Sequence, residues 1–145
     1  MDYHIGSSVA SSFYGVARAT LDVDLIVNFP PQQIEPFVQQ LKTMYYVDAE
    51  MIREAVQRRS SFNLIHLETM IKIDIFVNKD QAFDREVFRR VQHVPLEDEP
   101  DPRNIALASP EDVLLRKLEW YKGGGEVSER QWNDVLGMLK VQGQL

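Results

Sequence analysis

Asp22 and Asp24 stand one residue apart in Leu21-Asp22-Val23-Asp24-Leu25-Ile26-Val27. In a strand, residues i and i+2 leave the same face, so both carboxylates point one way while Leu21, Val23, Leu25 and Val27 fill the other. Two like charges that close repel each other. A hard divalent cation such as Mg²⁺, which takes oxygen ligands and carries phosphates, turns that repulsion into a site. Further on, Met70-Ile71-Lys72-Ile73-Asp74-Ile75-Phe76-Val77 alternates in the same way. Ile71, Ile73, Ile75 and Val77 share one face, which leaves Asp74 on the other, and a charge among branched aliphatics needs a partner or a task. If the two stretches pair, at roughly 4.8 Å spacing, Asp74 joins Asp22 and Asp24 in one three-carboxylate cluster.

The residues upstream suit an anion. Tyr3-His4-Ile5 reads as a short strand, Gly6-Ser7-Ser8 as a turn, and Val9-Ala10-Ser11-Ser12-Phe13-Tyr14 as a short helix. Strand, Gly-Ser turn and helix together present backbone N–H groups to an anion, glycine permits close approach, and Ser7 adds a hydroxyl at the positive helix end. Alone, a Gly-Ser turn is usually only a turn and one Asp-x-Asp usually a solvated edge. The ordered set is much more specific than its members.

Gly6-Ser7, then Gly15-Val16-Ala17-Arg18-Ala19-Thr20-Leu21-Asp22-Val23-Asp24, then Lys72-Ile73-Asp74, resembles the minimal nucleotidyltransferases of the DNA polymerase β superfamily. The branch it is most similar to includes bacterial abortive-infection, toxin-type nucleotidyltransferases, and the late segment Ser109-Pro110-Glu111-Asp112-Val113-Leu114-Leu115-Arg116-Lys117-Leu118, with Arg130 and Asp134, extends the likeness over nearly the whole chain. The resemblance implies transfer of a nucleoside monophosphate from a nucleoside triphosphate to an acceptor hydroxyl. Asp22, Asp24 and Asp74 would hold Mg²⁺, a pair of ions with Mn²⁺ as a substitute, and Asp74 would also draw off the acceptor's proton. Gly6 and Ser7 would cradle the outgoing phosphates, Arg18 would neutralise their charge, and Lys117 and Arg130 would contact nucleotide phosphates. An acceptor protein or RNA, a second copy of the chain, or an antitoxin-like partner are the macromolecules it suggests. Family members usually carry a helix ahead of the first strand, so an apolar strip at Tyr3-His4-Ile5 is expected to be exposed or covered by a partner. Two other readings stand beside this one: a non-catalytic nucleotide- or partner-binding module, such as one half of a toxin–antitoxin pair, and a metal-dependent sugar-nucleotide glycosyltransferase, for which the chain is short.

Composition narrows the class. The 145 residues suffice for one domain with a real core, and 44% hydrophobic with 26% charged residues is ordinary for a globular protein. There is no cysteine, hence no disulfide framework and no thiolate metal site. No apolar run reaches membrane-spanning length and the first residues do not form a secretory leader, so the cytoplasm is expected. A net charge of −6 argues against broad binding to DNA or another phosphate backbone. Two arginine groups, Arg53 with Arg58 and Arg59, and Arg85 with Arg89 and Arg90, read as solvated faces. His4, His66 and His93 are scattered singly, without the spacing zinc needs.

The elements that must position these groups suggest an α/β fold: a small mixed sheet with packed helices (1–107) followed by a C-terminal helical hairpin (108–145). Pro30-Pro31 opens a helix with Ile34, Phe37, Val38 and Leu41 inward, its first turn or a kink marked by Pro36. Asp48 caps a helix through Arg58. Residues 61–67 and 70–77 read as a strand hairpin, a short helix follows around Asp84, a strand spans 88–94, and 97–102 is an acidic loop. Ser109 caps a helix with Pro110 in its first position and Leu114, Leu118 and Tyr121 as its buried stripe. Gly123-Gly124-Gly125 ends it. Ser128 and Gln131 form a capping box for a last helix whose stripe is Trp132, Val135, Leu136 and Leu139.

Overall fold

The computed structural model describes residues 1–17, 22–95, 100 and 103–143. The fold is α/β. β1 (Tyr3–Ile5) leads through Gly6 into α1 (Ser7–Tyr14), and β2 (Asp22–Val27) carries the paired aspartates. A 3₁₀ turn, Pro31–Gln33, precedes α2 (Ile34–Leu41), which places Pro36 in the first helical turn, where its missing N–H costs nothing. β3 (Tyr45–Tyr46) and α3 (Ala49–Arg58) follow, the latter capped by Asp48, whose side chain accepts from the backbone N–H of Glu50 and Met51. β4 (Ser61–His66) and β5 (Lys72–Val77) form the expected antiparallel hairpin. Then come α4 (Ala82–Arg89), β6 (Gln92–Pro95), β7 (Asn104–Leu107), α5 (Pro110–Gly123) and α6 (Glu129–Gln142).

The described strands form one mixed sheet of order β3-β4-β5-β2-β1-β7-β6. β2 lies between β5, its parallel neighbour, and β1, its antiparallel one. One core cluster collects Val27, Ile75, Val77, Phe62 and Leu64 beneath Ile34 of α2 and Ile52 and Ala55 of α3. This is the face assigned to the aliphatic side of the aspartate strands, and alternation was sufficient to read it. A second cluster joins Ile5 and Leu107 to Ala10 and Tyr14 of α1, Val113 of α5 and Met138 of α6.

Several expectations give way. The strand at 88–94 begins only at Gln92, because α4 runs on through Arg89 and buries Val87. β3 and β7 were not anticipated; both are short, and β7 acquires its character from lying parallel to β1. β1 is an interior strand, with His4 and Ile5 buried, so the apolar strip expected there is covered and only Tyr3 is exposed. Residues 97–99 and 101–102 of the acidic loop lie outside the described residues.

The terminal hairpin forms, but with different faces inward. α5 buries Asp112, Val113 and Lys117, while Leu118 is exposed; α6 buries Val135, Gly137 and Met138, while Trp132, Leu136 and Leu139 are exposed. Ser109 accepts from Asp112 N–H and Ser128 from Gln131 N–H as caps. The reciprocal half of the Ser128 box is not made, for Gln131 Oε1 is buried with no hydrogen-bond partner. Close backbone approach at Gly15 and Gly137, beside buried Met138, draws α6 onto α1. A Cβ on Gly15 would come within 2.9 Å of the Met138 backbone nitrogen, and one on Gly137 within 3.3 Å of that of Val16. The Tyr14 hydroxyl donates to Ala108 O at 2.8 Å, and Gln142 Nε2 donates to Tyr14 O at 2.7 Å.

Candidate functional site

The parallel pairing of β2 with β5 sets Asp24 opposite Asp74 and Asp22 opposite Lys72. Alternation then puts Asp22, Asp24, Lys72 and Asp74 on one face, with Ile26 and Phe76 continuing it toward the strand ends. His4, opposite Ile26 in the pairing of β1 with β2, and Asn63, opposite Asp74 from β4, belong to the same face. Asp22 is exposed and Asp24 half-buried. Backbone geometry thus brings the three expected carboxylate residues together, two of them as direct neighbours in the ladder.

Their side chains are not yet gathered around one point. Lys72 Nζ lies 3.0 Å from Asp74 Oδ2. The Lys72 ammonium is held protonated above its ordinary range, first by its hydrogen bond and charge attraction to Asp74, then by the fields of Asp22 and Asp24. Among the described residues no three acidic or histidine side chains form a group that could hold a metal ion. The chemistry of the donor set, carboxylate oxygens on adjacent strands, is of the kind that Mg²⁺ takes. The same alternation that isolates Asp74 places Lys72 on its side of the strand, an assignment that composition alone does not make.

A cleft of about 700 Å³ opens further along this face, from Ile26 and Phe76 onward, and Asp22, Asp24 and Asp74 are not among its lining residues. Gly6, Ile26, Phe76, His4, Arg116 and Lys117 are among the residues lining it. Gly6 fits there because of its neighbour: a Cβ would meet Ile26 Cδ1 at 3.0 Å. Its N–H donates to the Asp24 carbonyl at 3.1 Å, so Gly6 ties the start of α1 to the aspartate strand and its own amide is engaged there. Ser7 opens α1, and no side chain caps that helix end. The Ser7 hydroxyl and all of Arg18 lie outside what the structure describes.

The two expected cations of the hairpin part company. Lys117 lines the cleft, is 1% exposed, and makes an ion pair at 2.8 Å with Asp134, whose side chain is 6% exposed. Arg130 is exposed in the first turn of α6 and does not line the cleft. Other charges in the wall are also matched. Asp112 receives both ends of the Arg90 guanidinium, at 3.0 and 2.6 Å, and the Ser109 hydroxyl at 2.8 Å. Arg116 pairs with Asp84 at 2.8 Å and lies over the Phe83 ring.

His4 is the unanticipated polar group. It is 6% exposed, packs edge-on against Phe88 at 4.9 Å, and its Nδ1 has no hydrogen-bond partner. Burial pushes its pKa down to about 4. The cleft therefore carries a neutral imidazole at its floor. A three-residue strand is too short for alternation to have revealed this.

The arginine groups are spoken for by acids. Arg53 pairs with Glu35 and Glu50, Arg58 with Glu54, Arg59 and Arg85 with Asp80, Arg89 with Glu86. Pairing removes most of the positive field a phosphate backbone would need. No described helix is long and apolar enough to cross a membrane. No protein-family model matches the chain, and no curated protein matches it.

Proposed function

We propose that this protein is a Mg²⁺-dependent nucleotidyltransferase, which moves a nucleoside monophosphate from a nucleoside triphosphate to an acceptor hydroxyl and releases pyrophosphate. The observation that carries the reading is the pairing of Asp24 with Asp74, with Asp22 on the same face, beside a cleft that contains Gly6 and Lys117. A purely structural role for the acids is a poor alternative, since the opposite face of both strands supplies the core.

In this reading the triphosphate lies across the carboxylate face with its nucleoside in the cleft, over the adjacent side chains of Ile26 and Phe76. Mg²⁺ held by Asp22, Asp24 and Asp74 would neutralise the phosphate oxygens and polarise the bond to be broken. Amides at the start of α1 and the Ser7 hydroxyl receive the leaving phosphates, with Arg18 adding charge. The acceptor oxygen bonds to the α-phosphorus, the bond between the α-phosphorus and its bridging oxygen breaks, and the hydroxyl proton passes to Asp74. Lys117 would lend its charge from the cleft wall, shared with Asp134, and Arg130 would reach the phosphates from the exposed first turn of α6. The acceptor is a protein or an RNA, and a cytoplasmic enzyme of one domain, working as a toxin-like component or a homo-oligomer, suits the resemblance.

One observation favours the rival module: Asp74 is engaged by Lys72, as suits a face that binds nucleotide without turning it over. Calorimetry with Mg²⁺ and each triphosphate tests the metal-dependent part. The wild type is expected to bind, and Asp22→Asn and Asp24→Asn to lose that binding while unfolding within about 0.5 kcal/mol of the wild type, since Asp22 is exposed and Asp24 only half-buried. Equal affinity in all three proteins contradicts the metal reading.

A further inference from the structure

Lys72 begins β5, opposite Asp22 and two residues before Asp74, so its ammonium belongs to the carboxylate face by register and not by accident of a long side chain. Its partner is Asp74, at 3.0 Å. We propose that Lys72 is a built-in counter-cation which holds Asp74 and must be displaced before a divalent cation can draw the three carboxylates together. That a divalent cation enters here, and its identity as Mg²⁺ or Mn²⁺, rests on the nucleotidyl-transfer reading; the hold of Lys72 on Asp74 rests on their geometry.

A divalent cation carries twice the charge of the ammonium, so it competes well for the Asp74 oxygens. An ammonium donates hydrogen bonds and offers no lone pair while protonated, so it cannot join a metal's ligand shell. It can only compete for the oxygens and repel the second cation. The Lys72 side chain is 42% exposed and its Asp74 partner 23% exposed. Leaving is therefore easy, because the head group returns to water on a flexible four-carbon stem. The arrangement keeps Asp74 ordered on the acceptor side and ties completion of the site to cation loading. Lys72 is thus a positioning residue, acting through Asp74 and not upon substrate.

The test needs no turnover. Mn²⁺ is titrated without nucleotide into the wild type, Lys72→Met, Lys72→Thr and Lys72→Arg, by calorimetry and by the loss of the free Mn²⁺ resonance signal. Removing the ammonium is expected to tighten Mn²⁺ binding on the order of three- to tenfold in both uncharged variants, while Lys72→Arg stays near the wild type. Without divalent cation the uncharged variants are expected to melt below the wild type, and saturating Mn²⁺ to close that gap. Lys72→Thr guards against a packing artefact, since threonine suits a strand. Unchanged or weaker Mn²⁺ binding in both uncharged variants, beside a binding wild type, overturns the counter-cation and leaves the transferase reading standing. Absence of Mn²⁺ binding in every protein overturns both. A loss of triphosphate affinity with unchanged Mn²⁺ affinity reassigns Lys72 to the phosphates and also overturns the proposal.

Discussion

Lys117 of α5 and Asp134 of α6 form an ion pair of 2.8 Å whose side chains are 1% and 6% exposed. Charges so far from water persist only when matched, and the pair joins the two helices of the hairpin at the edge of the cleft. It also explains why α5 turns Val113 and Lys117 inward and leaves Leu118 outside.

Breaking that pair from one side is expected to be severe. Asp134→Ala leaves an ammonium buried without its carboxylate and should lower stability by about 3–5 kcal/mol, whereas the double variant Lys117→Met with Asp134→Leu should recover most of the loss. Urea unfolding of the two proteins decides it. Equal stability of wild type and Asp134→Ala contradicts a matched pair.

His4 should make the protein sensitive to mild acid. Its pKa is about 4 in the fold against 6.5 for the free side chain, because burial disfavours the charged form. The unfolded chain therefore binds the extra proton first. Above pH 6.5 both states are neutral there and His4 contributes nothing to the pH dependence. As pH falls from 6.5 toward 4, stability drops by up to about 3 kcal/mol from this group. Arg116, Asp112 and Asp84 surround it, the arginine opposing protonation and the two aspartates favouring it. Denaturant midpoints between pH 7 and 5 should fall more steeply in the wild type than in His4→Leu. Parallel slopes refute the assignment.

Residues with a strict period were legible, and those set by partners were not. The aliphatic faces of β2 and β5, the Asp48 cap and the β4–β5 hairpin each follow from local pattern alone. The parallel register that puts Asp24 against Asp74 was only a condition in the sequence, since pairing is a tertiary choice. Trp132, Leu136 and Leu139 look like a buried stripe, but α6 meets α1 through Gly137 and the neighbouring Met138, a face that the stripe does not predict. Lys117 was invisible as an inward residue because lysine normally faces water. His4 was hidden because its environment comes from β2, α4 and α5 across the cleft.

The central claim concerns chemistry at Asp22, Asp24 and Asp74, and one measurement addresses it most directly. Purified protein is incubated with Mg²⁺ and each of the four triphosphates labelled at the α-phosphate, with total RNA and protein from a bacterial extract as acceptors. Pyrophosphate release and label transfer are followed together for the wild type, Asp24→Asn and Asp74→Asn. The account predicts both signals from the wild type with at least one triphosphate, and neither from Asp24→Asn. Asp74→Asn should keep triphosphate affinity within a few-fold while transfer falls on the order of a hundred- to ten-thousand-fold. Transfer that persists undiminished in Asp24→Asn and Asp74→Asn would contradict it.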